Sequence, residues 1–427
     1  MTSKNFNTNC VHGTYKPKSG EPLVLPIYQN TTYRYDNTDE VAAIFDLESD
    51  GNIYSRISNP TCIYLEEKMA LLENGTAAIS ASSGQSAILI TVLNIAEAGD
   101  HIVVSTRIYG GTYNLFAVTL KKLGIKTTFV DPEASESEII KAANEKTKLI
   151  YSESLPNPSL RVLDIEKFAR IARKLEIPLV VDNTLASPAL CNPIDFGAEI
   201  VIHSTTKYSD GHASCLGGMV IEAGKFNWAN GKFPGMVEPD QSYHGVKFYE
   251  EFKEKAFTTR IRAVVLRDFG CTMAPMNAYL THQGLQTLPL RMKQHSENAL
   301  KLAEFLEKEE LVDWVKYPGL KNDEDYELAQ KYLKNGQSGV LSFSLKGGLE
   351  AGKTFLNSLK LASIAVHVGD IRTLVLQPSS TTHRQLSKEE QLASGITPGL
   401  IRVSVGLESI EDIIEDFSNA LEVIRCQ

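Results

Sequence analysis

The sequence predicts an α/β protein: a central, mostly parallel sheet with helices on both faces, followed by a smaller C-terminal α+β domain. Three observations carry this expectation. Short, continuously apolar segments alternate with helical ones from residue 77 to 221, the pattern of strands buried on both faces. The alternation breaks after Gly224. At 427 residues the chain is also too long for one compact core, so two domains and an extension are expected.

Residues 1–60 are rich in Asn, Thr, Tyr and Pro and lack sustained helical periodicity. They read as an N-terminal arm with short helical pieces, contacting a neighbouring subunit because alone it buries little apolar surface. A helix is expected from Asn59-Pro60, with Pro60 in the first helical position, Leu65, Met69 and Leu72 on one face, and Gly75 as C-cap. The larger α/β domain then occupies 61–285. Its first strand, Ala77 to Ala81, runs through Ser82-Ser83-Gly84 into an apolar helix over 87–93. Further strands are expected at 101–104, 127–130, 148–152, 178–182, 199–203 and 218–221, with a helix over 165–175. The aromatic- and charge-rich stretch 224–267 reads as a long, irregular insertion. The C-terminal α+β domain, 286–427, opens with a long helix through Arg291 to Leu306 and has strands at 339–345 and 401–405. Its last helix, over 409–425, has a Ser409-x-x-Asp412 start and an apolar face of Ile410, Ile413, Ile414, Phe417 and Leu421.

The net charge of -9, with no block of basic residues, argues against a nucleic-acid partner. Six widely spaced cysteines with no C-x-x-C pair offer neither a zinc site nor a disulfide framework, so no metal is expected. The polar N-terminus has no apolar h-region and no apolar run reaches membrane-spanning length. A cytoplasmic protein without a membrane partner is expected.

Four elements carry chemistry. Ser204-Thr205-Thr206-Lys207 follows a buried strand. An arbitrary lysine there is more often a surface residue, yet a partly desolvated amine among hydroxyls suits Schiff-base chemistry. Asp182 ends the strand Val180-Val181-Asp182, where ligands bind in open α/β sheets; alone, it reads equally as a helix cap. Ser82-Ser83-Gly84-Gln85 joins a strand to a helix start, an anion site if the backbone can be approached. Tyr109-Gly110-Gly111-Thr112 could stack a ring on a flat cofactor, though singly it is more often a turn. No strand is followed by G-x-G-x-x-G, so a nucleotide-dependent dehydrogenase is not supported.

In this order and spacing the four elements resemble the fold-type I, Cys/Met-metabolism family of pyridoxal-phosphate transferases and lyases. The resemblance covers nearly the whole chain. It includes Tyr54-Ser55-Arg56-Ile57-Ser58-Asn59-Pro60-Thr61, the segments 153–158, 369–373 and 378–383, and Arg402-Val403-Ser404-Val405-Gly406-Leu407-Glu408. It implies pyridoxal 5'-phosphate as cofactor, bound by the 61–285 domain and held by Lys207 as a Schiff base. Asp182 would face the pyridine nitrogen, Tyr109 would stack on the ring, and Asn157 would contact the ring hydroxyl. Ser83, Gly84, Gln85, Ser204 and Thr206 would hold the phosphate. Tyr54 and Arg56 would reach the neighbouring subunit's phosphate, with Tyr54 also near substrate, so the unit would be at least a dimer and by family habit a tetramer. Arg402 would fork onto the substrate carboxylate.

Within the family the chain is most similar to the O-acetylhomoserine sulfhydrylases. The 224–267 insertion, Gly84-Gln85 and the run Ser379-Ser380-Thr381-Thr382-His383-Arg384-Gln385-Leu386 resemble that branch, and Gly111 stands where methionine γ-lyases carry cysteine. The implied reaction is γ-replacement on O-acetyl-L-homoserine by sulfide or methanethiol, giving homocysteine or methionine and acetate. A γ-lyase or synthase of the same family is the alternative, and an idle cofactor-binding scaffold is disfavoured because the full residue set is present. Three departures bear on substrate preference: His367-Val368-Gly369 replaces Ser-Leu-Gly or Asn-Val-Gly, Leu155-Pro156 precedes Asn157, and Gln377 replaces a histidine. His367 is read as a neutral hydrogen-bond donor rather than an added acid/base.

Overall fold

A computed structural model describes residues 5–381, 384 and 397–426. The expected element types are present in the expected order. Seven strands form the larger sheet: β1 (Ala77–Ala81), β2 (His101–Ser105), β3 (Lys126–Val130), β4 (Thr147–Glu153), β5 (Leu179–Asp182), β6 (Ile200–His203) and β7 (Gly218–Glu222). Their spatial order is β1-β7-β6-β5-β4-β2-β3. Neighbours run parallel except β7, which is antiparallel to both β1 and β6. Every residue of β2, β6 and β7 is buried. Successive strand residues point to opposite faces, so both faces of the sheet must be covered.

The second sheet comprises β8 (Val312–Lys316), β9 (Val340–Leu345), β10 (Ser363–Ile364), β11 (Leu374–Leu376) and β12 (Leu400–Ser404), in the order β10-β11-β12-β9-β8. Its core packs Leu341, Phe343, Val403, Phe355 and Phe417 together. The helix Leu288–Leu306 joins the two cores, burying Leu288 and Met292 in the first and Leu302 and Leu306 in the second. Arg291 of this helix is buried and donates to the carbonyls of Tyr208 (2.8 Å) and Gly284 (2.7 Å). Burial pushes its guanidinium down to about 10.

Local chemistry explains the elements that position the site. Asn59 caps the helix Pro60–Leu72 by accepting from Thr61 N. Ser83 caps the helix Gly84–Ile95 by accepting from Ser86 N.

Several expectations need correction. Gly75 is not the left-handed closing residue of the helix Pro60–Leu72; Asn74 is, at φ 58°, and Gly75 N then donates to Ala70 O at 2.8 Å as the next residue of a Schellman turn. Gly75 is instead needed for close approach, since a Cβ there would lie 2.3 Å from Ile221 Cγ2. The 224–267 stretch is less irregular than its composition suggests: short helices cover Pro234–Val237, Phe248–Phe252 and Ala256–Arg260, the last continuing through a π-helical turn at Ile261–Leu266. Ser409 precedes the last helix, Ile410–Arg425, without a side-chain cap bond. The first helix, Phe6–His12, packs on its own chain: Cys10 is fully buried, and Lys68 Nζ donates to its carbonyl at 2.8 Å.

Candidate active site

The expected residues sit where the parallel strands end. Asp182 is the last residue of β5 and Glu153 the last of β4, paired in register. Ser204 directly follows β6, and Lys207 N returns to Ser204 O at 3.2 Å. Ser82 and Ser83 follow β1. The two loops touch: a Cβ on Gly84 would lie 2.7 Å from Ser204 Cβ, so only glycine permits this approach.

An anion would find donors at this junction. Of the first four amides of the helix Gly84–Ile95, Ser86 N is taken by Ser83 Oγ (3.1 Å) and Ala87 N by Ser83 O (3.0 Å). Among the described residues, the amides of Gly84 and Gln85 are the two left over at the positive end of the helix. Gln85 Nε2 donates to Thr112 Oγ1 at 3.0 Å, tying this helix to the Tyr109 turn. The Thr206 hydroxyl is engaged with Gly217, donating to its carbonyl (3.2 Å) and accepting from its amide (3.1 Å).

Among the described residues, Asp182 has three donors and no ion-pair partner. Its Oδ1 accepts from Thr184 N (3.0 Å) and Thr184 Oγ1 (2.5 Å), and its Oδ2 from Tyr151 OH (3.2 Å). Thr184 Oγ1 also accepts from Ser204 N at 2.8 Å, linking the carboxylate to the lysine turn. Burial raises the Asp182 carboxyl, and the Thr184 and Tyr151 bonds oppose that rise. Beside it, burial and then the charge of Asp182 drive Glu153 well above the carboxylate range. The two facing carboxyls titrate as a pair, with Glu153 the more strongly raised. Glu153 also accepts the amides of Tyr109 (2.8 Å) and Asn157, so it sets the position of both loops.

Tyr109 is half exposed and precedes the helix Gly110–Asn114. Gly111 leaves room for its ring: a Cβ there would lie 2.6 Å from Tyr109 Cε1. Lys207 Nζ lies 3.2 Å from His367 Nδ1. Burial, and then the charge of Arg402, push Lys207 down to about 8, so a nucleophilic neutral amine is accessible near neutral pH. Arg402 is buried and donates through Nη2 to His367 O at 2.9 Å, and its Nε has no acceptor among the described residues. Burial brings Arg402 down to about 10, opposed by Tyr109 and Tyr208.

Tyr54 and Arg56 stand apart from this group. The Arg56 guanidinium lies 5.4 Å from the Tyr54 ring centroid and donates to Arg267 O, and Arg56 O accepts from Thr272 Oγ1 at 2.9 Å. Gln377 is a brace, donating to Leu349 O (3.1 Å) and Pro398 O (3.0 Å). Of the 379–386 run, Thr382, His383, Gln385 and Leu386 lie outside the described residues.

Sequence reasoning singled out neither Thr184, Tyr151 and Glu153 as site groups nor the buried set under β5 and β6, where Glu73 Oε1 meets His203 Nε2 (2.6 Å) and Asn183 Nδ2 (2.8 Å). Only Thr184 left a signal, because Asp-x-Thr allows a side chain to bond two residues on.

A phosphorylated pyridine aldehyde fits this donor set. An unpaired carboxylate suits a protonated ring nitrogen, two free helix amides suit a phosphate, and a lysine of lowered basicity suits the aldehyde. The site is thus that of a pyridoxal-phosphate-dependent enzyme. Residues 7–422 match the family model described as Cys/Met metabolism PLP-dependent enzyme. An O-acetyl-L-homoserine sulfhydrylase of Leptospira meyeri is 47% identical over 433 residues, covering 99% of this chain and 98% of that protein. A homocysteine synthase of Schizosaccharomyces pombe is 45% identical over 427 residues, covering 99% of each. A Campylobacter jejuni structure assigned as an O-acetylhomoserine (thiol)-lyase, with N'-pyridoxyl-lysine-5'-monophosphate in place, has a TM-score of 0.95 and 39% identity over 98% of this chain and 100% of its own. The chain belongs to the Cys/Met-metabolism family of pyridoxal-phosphate-dependent enzymes.

Proposed function

We propose that this chain replaces the acetate of O-acetyl-L-homoserine with sulfide, or methanethiol, forming L-homocysteine, or methionine. The observation that carries this reading is the full-length similarity to an O-acetyl-L-homoserine sulfhydrylase and a homocysteine synthase. Bound pyridoxal phosphate supplies an aldehyde for amine condensation and a ring that takes up electrons from the substrate's carbon.

The chain's own groups do the rest. Lys207 would hold the cofactor aldehyde through its amine, and that amine, when free, would take the substrate's α-proton and later return protons. Asp182 would hold positive charge at the ring nitrogen, Tyr109 would cover the ring and hydrogen-bond the departing acetate, and Asn157 would contact the ring hydroxyl. Ser83, Gly84, Gln85, Ser204 and Thr206 would hold the phosphate, the Thr206 hydroxyl giving up its donation to Gly217 O to do so. Arg402 forks onto the substrate carboxylate. The Cγ–O bond breaks with its electron pair leaving on acetate, and a C–S bond forms at the same carbon.

We further propose a cytoplasmic homo-oligomer, built as a dimer sharing active sites and assembled to a tetramer. In it the 1–60 arm carries Tyr54 and Arg56 to the neighbour's phosphate, and Tyr54 to its substrate. The 61–285 segment binds cofactor, and the 286–427 α+β domain contributes Arg402 to the substrate carboxylate. No helix among the described residues is long and apolar enough to cross a membrane.

Lys207→Ala is expected to abolish turnover. Arg402→Ala is expected to raise KM for the amino acid by ~100-fold with a smaller fall in kcat, since a forked charged contact is lost. Steady-state kinetics on the two variants tests both roles, and normal turnover by Lys207→Ala would overturn the mechanism.

A further inference from the structure

One side of Asp182 is built by β4. Strand residues alternate between faces, so Tyr151 and Glu153 point the same way as their register partners Val180 and Asp182 on β5. Tyr151 is fully buried, and its hydroxyl reaches Asp182 Oδ2 at 3.2 Å. The helical segment that follows Tyr109 packs onto it. Phe116 meets its ring at 4.9 Å between centroids, and the Thr112 side chain bonds its hydroxyl. Gln85 Nε2 in turn donates to Thr112 Oγ1 at 3.0 Å.

The direction of these bonds is set from the carboxylate end. A carboxylate only accepts, so Tyr151 donates to Asp182; the Tyr151 oxygen then accepts from the Thr112 hydroxyl, and Thr112 accepts from Gln85. Burial, then the charge of Asp182, push Tyr151 well above the usual phenol range, so it keeps the hydrogen it donates. Hydrogen bonds running head to tail polarise one another, so the bond that reaches Asp182 is strengthened by those behind it. Asp182 Oδ1 is filled by Thr184 N (3.0 Å) and Thr184 Oγ1 (2.5 Å). Each carboxylate oxygen offers about two lone-pair sites, so the place left for a ring nitrogen's proton is on Oδ2, the oxygen that Tyr151 holds. Glu153 of β4 and His203 of β6 also face this carboxylate, but among the described residues neither is hydrogen-bonded to it.

We propose that Tyr151 is a positioning residue for the cofactor: by donating to Asp182 Oδ2, with Thr112 and Gln85 behind it, it keeps negative charge on that oxygen and the shared proton on the ring nitrogen. The inference rests on the reading of Asp182 as the ring nitrogen's partner. It also joins the two ends of the site, since Gln85, whose backbone amide is one of the two left for the phosphate, heads the same row of bonds.

The test uses enzyme loaded with pyridoxal 5'-phosphate isotopically labelled at the ring nitrogen, with no substrate present. The NMR shift of that nitrogen reads where the proton lies, and equilibrium dialysis reads cofactor affinity. Without the phenol donor the carboxylate becomes the more basic by about tenfold or more, the worth of one hydrogen bond to a charged group. In Tyr151→Phe, which keeps a ring against Phe116, the signal is therefore expected to move from the wild-type position toward that of an unprotonated pyridine. Thr112→Val is expected to move it the same way by less, and Thr112→Ser, which keeps the hydroxyl, to leave it in place. A signal unmoved in Tyr151→Phe, whatever happens to affinity, would overturn the proposal and leave Tyr151 a packing residue. If Tyr151→Phe does not hold cofactor, the Thr112 pair decides, and equal signals in Thr112→Val and Thr112→Ser would overturn it. Asp182→Asn separates the inference from the reading beneath it. If that variant leaves the ring nitrogen protonated, Asp182 is not its partner and both fall; if it releases the proton while Tyr151→Phe leaves the signal in place, only the role of Tyr151 falls.

Discussion

Lys207 is 160 residues away from its nearest side-chain partner, His367, and 195 from the arginine that helps to lower its basicity. Below about pH 8 the folded protein must hold an ammonium in a buried site, which costs stability. That cost is relieved as pH rises from about 8 toward the ordinary lysine value of 10.5, where the unfolded chain also loses its proton. The neutral amine condenses with an aldehyde, so the rate at which cofactor-free protein captures pyridoxal phosphate is expected to rise with pH and level off above about 8. Arg402→Met is expected to move that midpoint upward, because a like charge is removed. Stopped-flow capture rates across pH 6.5 to about 10.5 check both, and a midpoint left unchanged by Arg402→Met would contradict the assigned cause. Lys207 and Asp182 could be nominated from sequence only as a set: each alone reads as well as a surface lysine or a helix cap, and their order and spacing with the Ser83 and Tyr109 elements is what resembles the family. Glu153 and Tyr151 could not, because their meaning depends on β4 lying in register beside β5.

At the scale of elements, the decisive contact is between the Ser83 helix start and the Ser204 turn. Gly84→Ala would place a methyl 2.7 Å from Ser204 Cβ. The backbones must separate, and the free amides of Gly84 and Gln85 move with them. Cofactor affinity is expected to fall by about tenfold or more, while the thermal midpoint drops by only a few degrees because the Ser83 loop follows the edge strand β1 and can shift. Equilibrium dialysis with calorimetry checks the pair of outcomes; unaltered affinity would mean the junction does not hold the phosphate. Buried parallel strands were readable because a short, continuous apolar run between turn residues is what a strand covered on both faces requires. The 224–267 helices were not, since their aromatic residues pack in a cluster of Phe226, Trp228, Phe233 and Phe257 rather than along one periodic face. β8 interleaves charges as Val-Asp-Trp-Val-Lys, and β10 and β11 span only two and three residues, so tertiary pairing alone defines them. Asn74 took the left-handed position expected of Gly75 because asparagine tolerates that region and the glycine was required one residue later for packing.

For the whole molecule, the N-terminal segment divides in two. Phe6–His12 is anchored on its own chain, whereas Leu23, Val24, Tyr28 and Tyr54 expose large apolar surface. With Tyr54 and Arg56 bonded away from Lys207, the proposed exchange of arms predicts complementation between inactive subunits. When Lys207→Ala and Arg56→Ala chains are unfolded and refolded together, hybrids should contain one site with both residues intact and regain activity that neither parent has. Mixed protein no more active than its parents would contradict shared sites. The reaction itself is tested most directly by turnover of O-acetyl-L-homoserine by the cofactor-loaded enzyme, with and without sulfide, reading homocysteine and 2-oxobutanoate. Homocysteine formed only with sulfide, and little 2-oxobutanoate without it, is the expected result; abundant 2-oxobutanoate whether or not sulfide is present would make the chain a γ-lyase instead.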